Sequence, residues 1–158
     1  MNQLNIESME GVILTPLRII PGEKGSVLHG LRADDPSFQG FGEAYFSTIL
    51  NGQFKGWKRH RQMVLNLIVP SGEIRFVIFD DRADSNSRGS WAAICLSRND
   101  YSRLTIPPEV WLAFQGIAPG ESLLLNIANI PHDPLESETR SLDATGFPEL
   151  LELFPQHD

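Results

Sequence analysis

The sequence predicts an all-β fold, an antiparallel jelly roll carrying one short C-terminal helix. Two observations point there. From Gly11 onward, about ten short apolar or alternating runs follow one another, at the spacing expected of strands in a sandwich or barrel. Between them stand clusters of Gly, Pro, Asn and Asp, the residues that end strands and form turns.

The first runs, "VILTPLRII" (12–20) and "SVLHGL" (26–31), flank the turn "PGEKG". "EAYFSTIL" (43–50) and "QFKGWKRH" (53–60) flank Asn51-Gly52, the dipeptide that most strongly signals a hairpin between the runs on either side. "VLNLIV" (64–69) and "EIRFVIF" (73–79) are divided by "PSG", and "DDRADSNSRG" leads on to "SWAAICL" (90–96). "RLTI" (103–106), "VWLAFQ" (110–115) and "SLLLNIA" (122–128) complete the set, set apart by "SRND", "PPE" and "APGE". The one helical segment is "GFPELLELFP", where Leu150, Leu151, Leu153 and Phe154 offer an apolar stripe and Pro155 stops it. Residues 1–10 and the final "PQHD" read as loose termini.

The chain has 158 residues, about one domain's worth, so a single domain over 1–158 is expected. One cysteine, Cys95, cannot form an intrachain disulfide, and the opening "MNQLNIESMEG" has neither the positive flank nor the apolar stretch of a signal peptide. These features fit a reducing cytoplasm. No apolar run approaches the roughly 18 residues of a membrane helix, and a net charge of −7 argues against a broad nucleic-acid surface. An anionic partner, if there is one, should be small.

Against that acidic background, Lys55, Lys58, Arg59, His60 and Arg61 crowd one predicted strand. Strict alternation would point Phe54, Gly56, Lys58 and His60 to one face and Lys55, Trp57, Arg59 and Arg61 to the other. Two readings stay open. The cluster is either the solvated face of an edge strand, where lysine blocks sheet-to-sheet pairing, or a pocket for something anionic.

Metal-binding cupin jelly rolls are similar to one another in a His-x-His, a carboxylate a few residues on, and a further histidine after a "P-x-G" turn. Here Lys58 holds the first position, Leu65 the carboxylate's and Leu112 the last, so only His60 remains. One neutral imidazole cannot hold a structural or catalytic metal. No metal is expected.

The motifs "GEIRFVIFDDR", "SW", "LS", "LTIP" and the later Phe114 resemble the pattern of the dTDP-4-dehydrorhamnose 3,5-epimerase family, metal-independent cupins that act on nucleotide-linked 4-keto sugars without a cofactor. The likeness runs from about Gly11 to Asp143, and Gly72 to Phe114 needs one small gap. The family's base-bearing strand, "R-G-L-H" or "G-W-H-x-H", is matched by "K-G-W-K-R-H". The resemblance implies a nucleotide-diphosphate sugar as partner. It places the family's base position on Lys58, its orienting aspartate on Asp143 and its acid tyrosine on Ile130.

Enolisation beside a ketone needs a base for the carbon acid and a donor or cation for the enolate oxygen. A lysine ammonium is a poor base and a good electrophile, so Lys58 is cast as the clamp on an enolate, ketone or phosphate oxygen. His60, the neighbouring group of a type that titrates near neutrality, is cast as the base. The resemblance further implies substrate contacts for Glu43, Tyr45 and Ser47, where the family has "Q-D-N-H-S". It implies the same for Lys55 and Lys24, which replace arginines. Lysine keeps the charge but loses the bidentate fork. His132, in "IPHDP", is either an exposed turn residue or a further substrate contact, and His29 and His157 read as surface residues.

Two functions remain: an epimerase or isomerase of a nucleotide-linked keto sugar, or a catalytically silent pocket that senses or carries one. The retention of "GEAYFS", His60 and Asp143 favours the enzyme. Trp57, Trp91 and Trp111 read as core or dimer contacts rather than sugar platforms, and a homodimer is expected because edge strands and exposed tryptophans need covering. Elemental analysis of protein purified without a metal-affinity tag should find no stoichiometric iron, manganese or zinc. About one equivalent per chain would show the ligand positions misassigned.

Overall fold

Two sheets face each other in this computed structural model, which describes residues 1–155. The strands are β1 (Asn2–Gln3), β2 (Ile13–Pro16), β3 (Ile19–Ile20), β4 (Val27–Leu28), β5 (Glu43–Leu50), β6 (Phe54–His60) and β7 (Leu65–Ser71). They continue as β8 (Glu73–Asp80), β9 (Ser90–Ser97), β10 (Ser102–Ile106), β11 (Trp111–Gly116), β12 (Glu121–Ala128) and β13 (Ser137–Thr139). A front sheet of six strands has the order β1-β9-β8-β11-β6-β13, and a back sheet of five has the order β2-β10-β7-β12-β5. β3 and β4 form a small separate hairpin. Every pairing in the two large sheets is antiparallel except β1 with β9. The expected all-β jelly roll is therefore what forms, with each run of the sequence contributing at least part of a strand. No helix among the described residues is long and apolar enough to cross a membrane.

Alternation along the strands makes two cores. Ile74, Phe76 and Ile78 of β8 face inward and meet Leu67, Val69, Leu104 and Leu124 of the back sheet. The intervening Val77 and Phe79 face outward, where Trp57, Trp91 and Trp111 join them under a C-terminal cover of Leu142, Phe147, Leu150 and Phe154. All three tryptophans are buried, which bears out the core reading and corrects the expectation that exposed tryptophans call for a partner: the chain's own C-terminal segment covers them. Helix α1 (Leu150–Leu153) is a single turn. Leu150 is buried and Phe154 packs edge-on against Trp91, while Leu151 and Leu153 stay exposed.

The N-terminus is not loose. β1 pairs with β9, a 3-10 turn over Ile6–Ser8 follows, and Ile6 and Met9 are buried in the inter-sheet core. Of the expected loose C-terminus, 156–158 lie outside the described residues, His157 among them. The Asn51-Gly52 turn also departs from expectation. Its flanking strands do not pair with each other: β5 bonds β12 in the back sheet, and β6 bonds β11 and β13 in the front sheet. The turn crosses between sheets and is anchored there, with Asn51 Nδ2 donating to Ile117 O at 2.7 Å. The motif "FDDR" is structural as well. Burial opposes the charge on Asp80, but Arg82, Ser85 and Ser87 outweigh it and hold the carboxyl far below the usual range. Asp81 accepts from Trp111 Nε1 at 3.0 Å.

One irregularity positions the site. Leu112 stands opposite Lys58 while Phe114 stands opposite Lys55, so β6 carries one residue more than β11 between those points. This is a β-bulge. It is centred on Gly56, whose φ of 122° suits glycine and whose absent Cβ would lie 2.6 Å from Ala113 Cα. The extra residue breaks the alternation expected from sequence. Lys55 joins Lys58 and His60 on the inner face, and Phe54 packs outward against the tryptophan cluster. Gly56→Ala should therefore lower stability by about 1–3 kcal/mol, read as a drop in urea midpoint. A midpoint equal to wild type would mean that the bulge does not require glycine.

Candidate active site

The inner face of β6 opens onto a cavity of about 240 Å³ between the sheets. Lys55, Gly56, Lys58 and His60 line its front wall, with Leu112 and Phe114 of β11 beside them. The back wall comes from Tyr45 and Ser47 of β5, Leu65 and Leu67 of β7, and Leu124 and Asn126 of β12. Leu65 and Leu112, at the positions where metal-binding cupins carry ligands, are thus apolar wall around His60. Among the described residues no three His, Cys, Asp or Glu side chains gather as a metal site.

The two faces of the basic strand have separate fates. On the outer face Arg59 bonds Glu138 (Nη2 to Oε2, 2.7 Å), reaches Asp81 at 3.2 Å, and lies 4.7 Å from the Trp111 ring centre. Arg61 donates to the other Glu138 oxygen at 2.9 Å. These cations are neutralised. On the inner face Lys55 Nζ donates to Thr48 O at 2.6 Å, and half-buried Lys58 has no ion-pair partner among the described residues. The outer face is not the solvated face of an edge strand, for β13 flanks β6 and Arg59 is held by Glu138, Asp81 and Trp111; the inner face opens onto the cavity.

His60 is buried, and its Nδ1 is hydrogen-bonded to Glu136 Oε1. Burial raises the proton affinity of the Glu136 carboxyl, but His60 and the backbone N–H groups of Gln62 (3.1 Å) and Met63 (3.3 Å) prevail and hold it below the usual carboxylate range. An ionised carboxylate only accepts, so Nδ1 carries the imidazole proton and Nε2 keeps its lone pair. Nε2 has no protein partner among the described residues. Burial pulls the His60 pKa down. Glu136 opposes this, and the charge of Lys58 and the nearness of His132 reinforce it, leaving the net value below that of a free histidine. At neutral pH the imidazole is uncharged and able to accept a proton at Nε2.

Glu136 was not legible as a site residue. It ends a 3-10 turn (Pro134–Glu136) capped by Asp133, and β13 then pairs its short polar run with β6, Ser137 opposite His60 and Glu138 opposite Arg59. The available signal was charge complementarity between "ESE" and "KRHR". Asp143, matched to the family's orienting aspartate, is not brought to His60. After Arg140 pairs with Trp57, the chain turns onto the outer face of the front sheet to bury Leu142 and Phe147, and Asp143 goes with it into a separate hollow of about 390 Å³.

Lys24 lies exposed between β3 and β4, and Glu43 opens β5 two residues before Tyr45; neither lines the cavity. His132 is exposed, near enough to His60 to disfavour its protonation, and is also absent from the lining. Ile130 packs against the inter-sheet core. Asn126, which the sequence did not single out, donates from Nδ2 to Tyr45 Oη at 3.0 Å. A wider hollow of about 430 Å³ near Arg75 and Phe154 gathers no comparable set, for Arg75 is engaged by Gln115 and the Phe154 ring.

No family model matches the chain. A dTDP sugar isomerase from Desulfovibrio desulfuricans G20 is 43% identical, with 89% of this chain and 90% of that one covered and a TM-score of 0.86. A probable low-salt glycan biosynthesis epimerase, Agl13 of Haloferax volcanii, is 27% identical over 124 residues, 77% of this chain and 78% of that protein. The 3'-monoepimerase ChmJ from Streptomyces bikiniensis, solved in complex with dTDP-quinovose, shares the fold at 16% identity, covering 90% of this chain and 75% of that one with a TM-score of 0.77. On the strength of the 43% identical relative, matched over nine-tenths of its length, the chain belongs to the dTDP-4-dehydrorhamnose 3,5-epimerase family of sugar-nucleotide epimerases and isomerases.

Proposed function

We propose that the protein is a sugar-nucleotide epimerase or isomerase, a 3- or 3,5-epimerase or a related enzyme, acting on a nucleotide-linked 4-keto sugar by proton abstraction and return. The observation that carries this reading is the neutral His60, its Nδ1–H held by Glu136 and its Nε2 left for the cavity, two residues from an ammonium that has no ion-pair partner among the described residues. His60 Nε2 takes the proton from the carbon next to the ketone. The C–H electron pair becomes the C=C of an enolate, and the Lys58 ammonium stabilises the charge on oxygen. Lys58 and Lys55 also suit a diphosphate. The step needs no metal and no cofactor.

Glu136 takes the orienting role in this mechanism, and Asp143 is given none. Ser47, in the cavity wall, and Lys24 and Glu43, outside it, are proposed as substrate contacts on the family resemblance, and His132 from its nearness to His60. A homodimer is proposed from the edge strand β5, which exposes Phe46 and Leu50, and from Phe41, exposed just before it in the chain. A cytoplasmic site of action is proposed from the free thiol of Cys95. The second reading, a silent pocket that only binds the sugar nucleotide, is favoured by Ile130 at the family's tyrosine position.

Solvent deuterium exchange into a panel of nucleotide-linked 4-keto sugars, followed by NMR, separates the two. The enzyme incorporates deuterium next to the ketone, and His60→Asn loses about 10²–10⁴-fold of that rate. Binding without any exchange would establish the silent pocket.

Affinity should fall with added salt and fall further in Lys58→Ala, by about 1.5–3 kcal/mol for a lost charged hydrogen bond. Lys55→Ala should cost less, about 0–1 kcal/mol, because Lys55 is exposed. Calorimetry giving equal affinities for wild type and Lys58→Ala would return Lys58 to a structural role.

The pH profile follows from His60. Activity requires the neutral imidazole, so kcat/KM should be flat near pH 7 and fall as pH drops through a value below about 6.5. Lys58→Met should move that limb to higher pH by removing a repelling cation, and Glu136→Gln to lower pH by removing the stabilising anion. Limbs that stay in place would assign the base elsewhere.

A further inference from the structure

We infer that Tyr45 is a catalytic acid of this site, donating the proton that completes inversion from the wall opposite His60. The inference rests on the epimerase reading. Inversion at carbon requires that the proton leave from one face and a proton arrive on the other. His60, Lys58 and Lys55 all project from β6 in the front sheet and serve one face. The polar groups on the facing wall are Tyr45, Ser47 and Asn126, from β5 and β12 of the back sheet. A carboxamide is no acid, and an alkyl alcohol is a far weaker one than a phenol. That leaves Tyr45.

Its hydrogen bonding sets the direction of its proton. Asn126 is buried, and its Oδ1 accepts from the Asn66 backbone N–H at 3.2 Å, which fixes the orientation of the amide. Nδ2 is then the atom that meets Tyr45 Oη at 3.0 Å, and an amide nitrogen can only donate. The phenol oxygen accepts there, so its own O–H is free for a substrate in the cavity. The same Nδ2–H steadies the phenolate left after transfer. Asn66 is itself held, its Oδ1 accepting from Thr105 Oγ1 at 2.8 Å and its Nδ2 donating to Ile127 O at 3.1 Å. Asn126 is thus a positioning residue with a rigid support. The other tyrosine, Tyr101, donates its hydroxyl to His29 O at 2.7 Å and lines no part of the cavity.

The protons balance without any further reactant. His60 Nε2 takes the carbon-bound proton and the enolate forms. The enolate's electron pair then takes the Tyr45 proton on the opposite face, restoring the ketone. The phenolate regains a proton from water and the imidazolium releases one to water.

The test compares two rates in deuterium oxide on the panel of nucleotide-linked 4-keto sugars: deuterium entering recovered substrate with configuration retained, and formation of the inverted product. In Tyr45→Phe the ratio of retained exchange to inversion should rise at least about 100-fold, since the base still works and the opposite-face donor is gone. Asn126→Asp, which keeps the acceptor for Asn66 but draws the Tyr45 proton to itself, should move the ratio in the same direction, in protein shown folded by its thermal melt. A purely structural role for either residue lowers both rates together and leaves the ratio where it was; that result, or inversion by Tyr45→Phe at the wild-type rate, overturns the assignment of Tyr45 alone. Wild-type protein that exchanges no deuterium overturns the epimerase reading and this assignment with it.

Discussion

The bond between Glu136 and His60 is the contact around which the cavity is organised. Burial makes a charged imidazole unfavourable, and an ionised carboxylate on Nδ1 makes it less so. Burial prevails, and the pair is a neutral imidazole donating to a carboxylate rather than an ion pair of full charges. This balance supplies what proton abstraction needs: a lone pair at Nε2, a fixed ring and a carboxylate that strengthens the base without protonating it. The carboxylate is sustained in turn by the N–H groups of Gln62 and Met63, just past the end of β6. Strand β13 exists to bring Glu136 there, adding itself to the edge of the front sheet beside the strand that carries His60.

A second constraint comes from the bulge at Gly56. Without it Lys55 would face outward with Arg59 and Arg61, and the cavity would hold a single cation. With it the basic strand divides: Arg59 and Arg61 meet Glu138, Asp81 and Glu109 on the outside, while Lys55 and Lys58 remain for the inside. An acidic protein can in this way present a locally cationic pocket. The carboxylates beside the basic strand, Glu136, Glu138 and Asp81, are already hydrogen-bonded or ion-paired.

The sequence announced the strands well because their residues serve inter-sheet packing, which imposes period-two alternation on runs such as "EIRFVIF". It announced topology less well. Asn51-Gly52 has the chemistry of a tight turn, and a tight turn forms, but local chemistry does not say whether the next strand returns to the same sheet or crosses to the other. The inner face of β6 was legible for Lys58 and His60, which lie on one side of the bulge, and misread for Lys55 and Phe54, which lie on the other. Glu136 and β13 were missed because a short polar edge strand has no hydrophobic period and is held by backbone bonds and charge pairing. Asp143 was matched through a motif, yet its neighbours Leu142 and Phe147 carry it to the outer core. Asn126 could not be singled out, since its role lies in hydrogen bonds to residues far away in the chain.

Proton abstraction in this cavity turns on the protonation state of one ring. Nitrogen NMR of the protein labelled in its histidines reads that state directly. The structure predicts that His60 at pH 7 shows a protonated Nδ1 and an unprotonated Nε2, with a titration midpoint below about 6.5; a proton on Nε2 at pH 7, or a midpoint at or above that value, would contradict it.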